Sequence, residues 1–351
     1  MGDPNHGKAY SMIAIDGVSK GQEHRPVAFG DFFQDGTVAT FAASWPDNTG
    51  RDINNQLSTV LKFFHRTADG KGWVDRTSEL LKDGTGCISL RKANIADFNG
   101  DGKPDLYLGC HGADTEGVAS IGEYQRILLS QANGTYTNNI APLICYCHGS
   151  TAGDLNGDGN IDILAFDSLD NDAEQRRHPI ALMGNGDGTF TDNPEYAPKS
   201  LYPMSVWTLE LIDSGRGILD LFVGGGSTRP GRDWWPTDFA NSILYNDGDG
   251  KFTSKPAVLD NTPGQTAYNT ALDFIVKDGY VYFNEFDFDG KSIAVRKVNL
   301  GDVTQSTFLY EHVSDTEISP PWIVLLENGR IATMCDRSDI VSPGCIWEGD
   351  M

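Results

Sequence analysis

The 351-residue chain has no apolar run approaching the roughly 18 to 20 residues of a membrane span, so no membrane insertion is expected. Its opening, "MGDPNHGKAYSMIAID", lacks the basic stretch and apolar core of a secretory signal. This predicts a processed mature form, or a protein that leaves its cell another way, such as a virion component. Positive charge is scarce: 27 basic residues face 49 acidic ones, for a net charge of −22. A nucleic-acid partner needs a basic footprint to neutralise phosphates and is excluded on that ground. No segment sustains an amphipathic helical period. There is no G-x-S-x-G elbow, no His-Glu-x-x-His and no phosphate-cradling glycine loop. The six cysteines never fall in Cys-x-x-Cys spacing, which argues against zinc. Cys335 and Cys345 flank "DRSDIVSPG" and could bridge neighbouring strands, the alternative being buried free thiols.

What the chain does have is repetition. "ANIADFNGDGKPDLYLGCHG" begins at Ala93, and "TAGDLNGDGNIDILAFDS" follows at Thr151, with Asp97 and Asp154 separated by 57 residues. Weaker copies place Asp31, Asp213 and Asp273 at the matching point, and "WIVLLENGRIATMCD" keeps only the apolar–turn–apolar outline. About thirty residues after each acidic loop comes an apolar run closed by a glycine turn, as in "RILLSQANGTYTN", "IALMGNGDGTFTD" and "SILYNDGDGKFTS". Short apolar runs bounded by Asn-Gly or Asp-Gly are the mark of strands and hairpins.

Each unit therefore reads as four strands, and a four-stranded unit of this length repeated around a ring is a β-propeller blade. The sequence predicts an all-β fold in one domain over residues 1–351. It would be a six-bladed propeller with blades starting near 27, 93, 151, 206, 268 and 319. The last unit has only three strands, so a closing strand over 8–17 is expected to complete it and remove the open edge. A seven-bladed ring would need a degenerate unit hidden in the opening segment.

In the loop from Asp97, oxygen-bearing side chains fall at Asp97, Asn99, Asp101 and Asp105, with Gly102 at the sharp turn. Asp154, Asn156, Asp158 and Asp162 repeat this around Gly159, and Lys103 and Asn160 would each add a backbone carbonyl. Alternate spacing turns every second side chain toward the concave side of the loop, where oxygens can wrap a hard cation. Three carboxylates in a flexible loop suit Ca²⁺ better than Mg²⁺. The alternative is that these side chains merely cap a tight turn through backbone N–H groups. The pattern opens like an EF-hand, but "DLYLG" and "DILAF" follow, which are strands.

These two loops, with the turns "GNGDGTFT" and "NDGDGKFT", resemble the FG-GAP/VCBS repeat family, the blades of integrin-α-type propellers. The resemblance implies two structural Ca²⁺ sites between the first two strands of blades two and three, on the residues just named. The copies at Asp31, Asp213 and Asp273 lack the donors; at Asp213, Arg216 and Gly217 stand where ligands belong.

The opposite face of the disc would carry the long connections between second and third strands. Arg25, Arg91 and His148 precede the first strand at matching offsets and should gather at its axial mouth, with His111 nearby. Trp234 and Trp235, with Arg232 close by, could stack on sugar rings or pack over a blade edge. From this the sequence predicts a calcium-stabilised extracellular recognition module for a glycan or cell-surface partner, non-enzymatic. The first alternative is a sugar-acting enzyme of lyase or dehydratase type at the axial mouth, using Arg25, Arg91, His148 and Tyr268. A second alternative is a phage-particle protein. Oligomeric state leaves no signature in the sequence.

Overall fold

The structure, a computed structural model, describes residues 24–350 apart from 45, 47, 49–50, 53, 71, 114–119, 169–177, 203–205, 226–240, 253–254, 260–267, 288–291, 314–322, 326–328 and 335–345. The first sheet holds β1 (His24–Gly30), β2 (Ala39–Ser44), β3 (Val60–Arg66) and β4 (Trp73–Asp75). The second holds β5 (Leu90–Ala96), β6 (Asp105–Cys110), β7 (Glu123–Ser130) and β8 (Tyr136–Cys145). The third holds β9 (Cys147–Gly153), β10 (Asp162–Asp167), β11 (His178–Gly184) and β12 (Phe190–Asp192). The fourth is built from β13 (Val206–Asp213), β14 (Leu219–Gly225), β15 (Ser242–Leu244) and β16 (Ala257–Val258). The fifth comprises β17 (Tyr268–Lys277), β18 (Tyr280–Asp287), β19 (Ser292–Asn299) and β20 (Asp302–Val313). A last sheet has three strands, β21 (Ile323–Leu325), β22 (Ile331–Met334) and β23 (Ile346–Gly349).

Each sheet is an antiparallel meander, and the first strand of each touches the first strand of the next from β1 through β21. First strands in serial contact line the axis, which makes the molecule an all-β propeller. Six blades were expected, and this is corrected: the described residues form five four-stranded blades, not six or seven. The unit from Ser319 carries only three apolar runs and yields a three-stranded sheet, and the expected closing strand over 8–17 lies outside the described residues. Among the described residues no helix is long and apolar enough to cross a membrane.

The core lies between blades. Phe41 and Phe63 of the first blade pack with Leu106, Leu108 and Leu128 of the second, and Tyr107 and Ile127 of the second pack with Ile163 and Leu182 of the third. Every residue of β6 and β10 is buried, because each second strand is covered by a neighbouring blade on both faces. This is why "LYLGC" and "ILAF" run without the polar alternation of a half-exposed strand.

The inner strands approach so closely that side chains are excluded at one point. A Cβ on Gly149 of β9 would lie 2.8 Å from the Leu209 amide nitrogen of β13. Gly149→Ala should therefore destabilise the protein by about 1–3 kcal/mol, because backbone cannot yield as a flexible side chain can. Denaturant titration checks this, and an unchanged midpoint would contradict the packing of these two strands.

Candidate functional site at the axial mouth

The sheet register breaks at the same place in all five complete blades. Leu90 pairs with Cys110 and Lys92 with Gly109, which leaves Arg91 without an opposite residue. Cys147 pairs with Asp167 and Gly149 with Phe166, leaving His148; Val206 pairs with Gly225 and Thr208 with Gly224, leaving Trp207. In β17 the extra residue is Asn269, and in β1 Arg25 and Pro26 together oppose Ala43. A β-bulge inserts one residue into one strand and re-aims its side chain. Repeated five times at the start of the inner strands, it inserts one extra residue per blade at that end of the propeller.

Three blades bring these residues together. The imidazoles of His111 and His148 stack at 4.7 Å between centroids, 16° apart in plane. Tyr146 lies 3.7 Å from His111, and the Trp207 indole lies 4.6 Å from His148. His111 is fully buried, whereas Tyr146, His148 and Trp207 are half-buried and Arg91 is exposed. The cluster is thus a buried imidazole floor under a layer that faces solvent. Burial holds His111 well below the ordinary histidine range, and the charges of Arg91 and His148 push in the same direction.

The backbone beneath His111 is tightly held. Its N–H donates to Ser89 O at 2.8 Å, and the next amide, Gly112 N, donates to Glu123 Oε1 at 2.9 Å. Glu123 also accepts from Ile88 N and Ser89 N, and the buried Gln125 amide donates to the Cys110, Glu123 and Cys145 carbonyls. Two disulfides, Cys87–Cys110 and Cys145–Cys147, border the cluster. Neither was expected from the sequence: Cys87 and Cys110 meet only through the blade fold, and Cys145 and Cys147 stand either side of the single residue Tyr146. The pair at Cys335 and Cys345 lies outside the described residues. Cys87, Cys110 and Glu123 converge within 4.8 Å, but the sulfurs are bonded to each other and both Glu123 oxygens are engaged, so this group is closed to a metal.

Deeper along the inner strands, Lys92 of the second blade pairs with Glu210 of the fourth, and Thr151 of the third donates to Glu210. An ion pair therefore joins alternate blades below the imidazoles.

At the far end of the inner strands lie the acidic loops. Asp97 accepts from the Asp101 and Gly102 amides at 3.0 and 2.8 Å, and Asn99 Oδ1 accepts from Asp101 N at 3.1 Å. Asp154 accepts likewise from Gly157 and Gly159, and Asp158 accepts from Asn160 N at 2.8 Å. Gly102 and Gly159 have φ of 80° and 88°, the left-handed conformation that the sixth position demands. Asp31 accepts from Asp35 and Gly36 in the same manner without the other donors, so this turn forms without a complete ligand set.

The ninth-position aspartates act as latches. Asp105 accepts from Phe98 N and Ser130 N, and Asp162 from Leu155 N and Gly184 N, tying each loop to the end of the third strand. Burial raises the Asp105 pKa, and burial pushes Asp162 up to about 6, with neighbouring loop carboxylates adding to both. Asp220 repeats the latch in the fourth blade with Asn246 N, and there Arg216 Nη1 binds it at 2.6 Å. No side-chain cation is described on Asp105 or Asp162; Lys103 Nζ instead donates to Gln131 O, 3.9 Å from Asp101. The donor chemistry of the two intact loops thus fits a divalent cation, whereas the fourth blade carries its own positive charge.

Of the expected mouth residues, Arg91, His111 and His148 are brought together and Arg25 occupies the equivalent bulge of β1. Trp234, Trp235 and Arg232 lie outside the described residues. Trp207 and Tyr146 were missed. Trp207 stands six residues before Asp213, just as Arg25, Arg91 and His148 stand six before Asp31, Asp97 and Asp154. The signal was present, hidden by the degenerate loop that follows it.

No family model matches the chain, and no curated protein sequence does. Membership of the FG-GAP/VCBS family is therefore not established, and that resemblance rests on the loops. Solved structures similar to the chain include a putative 6-phosphogluconolactonase from Bacteroides uniformis, at TM-score 0.49 and 12% identity over 88% of this chain and 84% of that one. A periplasmic gluconolactonase from Pseudomonas aeruginosa aligns at TM-score 0.46 and 10% identity, covering 89% and 82%. A mutant Trypanosoma rangeli sialidase with trans-sialidase activity aligns at 0.45 and 10%, covering 94% of this chain and 55% of that one. At these scores the likenesses carry no argument for a family or an activity.

A buried imidazole that resists protonation has a thermodynamic signature. Below about pH 6.5 the unfolded chain binds a proton at this histidine that the folded chain refuses, so stability should fall as the pH drops from there. Nitrogen-15 spectra should show His111 neutral at pH 6; half-protonation near the ordinary histidine value would contradict its burial.

Proposed function

We propose that the chain is a sugar-acting enzyme whose site is the axial mouth, and that it cleaves an acidic polysaccharide by elimination. This replaces the non-enzymatic recognition module read from the sequence. The solved propellers named above carry the names of enzymes, several of them acting on sugars, and the first alternative fits the mouth better. Because those likenesses are weak, the reading is carried by one observation: the bulges place Arg91, His148 and Trp207 around a neutral, buried His111.

Each group has a role that suits its exposure. Arg91, exposed on an otherwise acidic protein, pairs with a uronate carboxylate and so acidifies the C5 proton. The His148 imidazole takes that proton. The C5–H electron pair becomes the C4=C5 bond, the C4–O4 bond breaks, and the Tyr146 hydroxyl protonates the departing oxygen. Trp207 offers its indole face to a sugar ring. His111 touches no substrate; it underlies Tyr146 and His148.

Ca²⁺ in the loops of the second and third blades belongs to the same reading, as a structural ion on Asp97, Asn99, Asp101 and the Lys103 carbonyl, and on Asp154, Asn156, Asp158 and the Asn160 carbonyl. Asp105 and Asp162 complete each set while latching the loop. The contrast with Arg216 on Asp220 supports this, because in the fourth blade a guanidinium supplies the charge. An extracellular or periplasmic location agrees with two disulfides, which persist in oxidising compartments.

His148→Ala should lower turnover on a polyuronate by about 100- to 10,000-fold, the usual contribution of a general base, with the melting temperature unchanged. The assay reads the ultraviolet absorbance of the unsaturated product, and absence of that product with wild-type protein across uronate polymers would end the elimination reading. Asp101→Ala and Asp158→Ala should lower the melting temperature with calcium present and have little effect in chelator. Equal losses in both conditions would remove the ion.

A further inference from the structure

Cys145 is the last residue of β8 and Cys147 the first of β9, so their disulfide encloses a single residue, Tyr146. The Cys87–Cys110 bond spans a sequence separation of 23, against 2 for Cys145–Cys147. A bond that closes so short a loop removes far less disorder from the unfolded chain than one that closes a long loop. Its value to global stability is correspondingly small, so its effect must be sought locally.

Locally, it sits where two blades exchange the chain and where three aromatic rings meet. Tyr146 N donates to Asp167 Oδ1 at 3.2 Å, and Ser168 N donates to Tyr146 O at 3.0 Å. These two contacts fix the Tyr146 backbone from one side, and the disulfide fixes it from both flanks. Tyr146 then lies 3.7 Å from His111 and 5.6 Å from His148 between ring centroids. His148 is the residue directly after Cys147 and sits at the register shift between Cys147 and Gly149.

We propose that the Cys145–Cys147 disulfide is a positioning element of the mouth, setting the Tyr146 ring and the bulged His148 against the His111 imidazole. Both sulfurs are buried, so the bond is a permanent clamp and not a switch for a passing reductant. The inference rests on the mouth being the working site; the geometry it explains does not. Cys87–Cys110 has the other role: it closes a long loop next to His111 and holds the second blade together.

The test compares two double variants of the full chain, Cys145→Ala with Cys147→Ala, and Cys87→Ala with Cys110→Ala. Melting temperature, histidine nitrogen-15 spectra across pH, and turnover on a polyuronate are measured for each. Loss of the short clamp should leave melting within a few degrees of wild type. It should shift the His111 and His148 resonances and let His111 take up a proton at higher pH, and lower kcat at least tenfold with KM little changed. Loss of the long bridge should lower the melting temperature by a clearly larger amount. Wild-type histidine spectra in the Cys145/Cys147 variant would overturn the proposal, as would a melting loss equal to that of the other pair. The spectra decide this even if no polyuronate is turned over, in which case it is the elimination reading that fails.

Discussion

Inner strands packed side by side leave no room for a side chain at Gly149. Where Gly149 faces the Leu209 amide, the two backbones set each other's height along the axis. The Asn94 amide donates to Ser150 Oγ one blade on, and the Thr151 hydroxyl accepts from Leu211 N, so the same height is fixed by hydrogen bonds. Variation is pushed to the two ends of these strands, and the two ends are used differently. One end carries turns that resemble one another; the other carries bulges whose residues vary among arginine, histidine, tryptophan and asparagine.

At the turn end, a buried aspartate in the second strand holds the third strand through its backbone amide in three blades. Taking that carboxylate out of water has a cost that positive charge offsets. Asp220 meets the need with Arg216, and the loops around Asp105 and Asp162 offer instead a ring of oxygens. At the mouth end the logic is reversed. The bulge lets each blade add a side chain without disturbing the ladder below it, so arginine, histidine and tryptophan can stand in equivalent places on one frame. A scaffold of this kind separates stability from chemistry, as loops on rigid sheets commonly do.

Strand positions around the acidic loops were legible because a turn with alternating oxygens and an obligatory glycine leaves a dense imprint, seen in full at Asp97 and Asp154. Six complete blades were expected because a closing strand over 8–17 was counted into the three-stranded unit after Ser319, and the described residues form five. Arg91 and His148 could be picked out by their offset from the loop aspartate; Trp207 has the same offset but precedes a loop that has lost a residue. Tyr146 and the two disulfides were hidden for a different reason. Cys87 and Cys110 meet across the second blade, and nothing local in either segment reports that contact. Glu285 and Arg296 are a further case: a buried ion pair 2.7 Å apart for which neither segment carries a local sign.

The central claim is that the extra residue opening each inner strand serves the mouth and not the sheet. Deleting Trp207, so that Val206 and Thr208 pair in an unbroken ladder, tests this most directly, with the melting temperature and polyuronate turnover measured on the same sample. The account predicts an unchanged or raised melting temperature together with lost turnover. A protein that no longer melts cooperatively, or one that turns over as before, would contradict it.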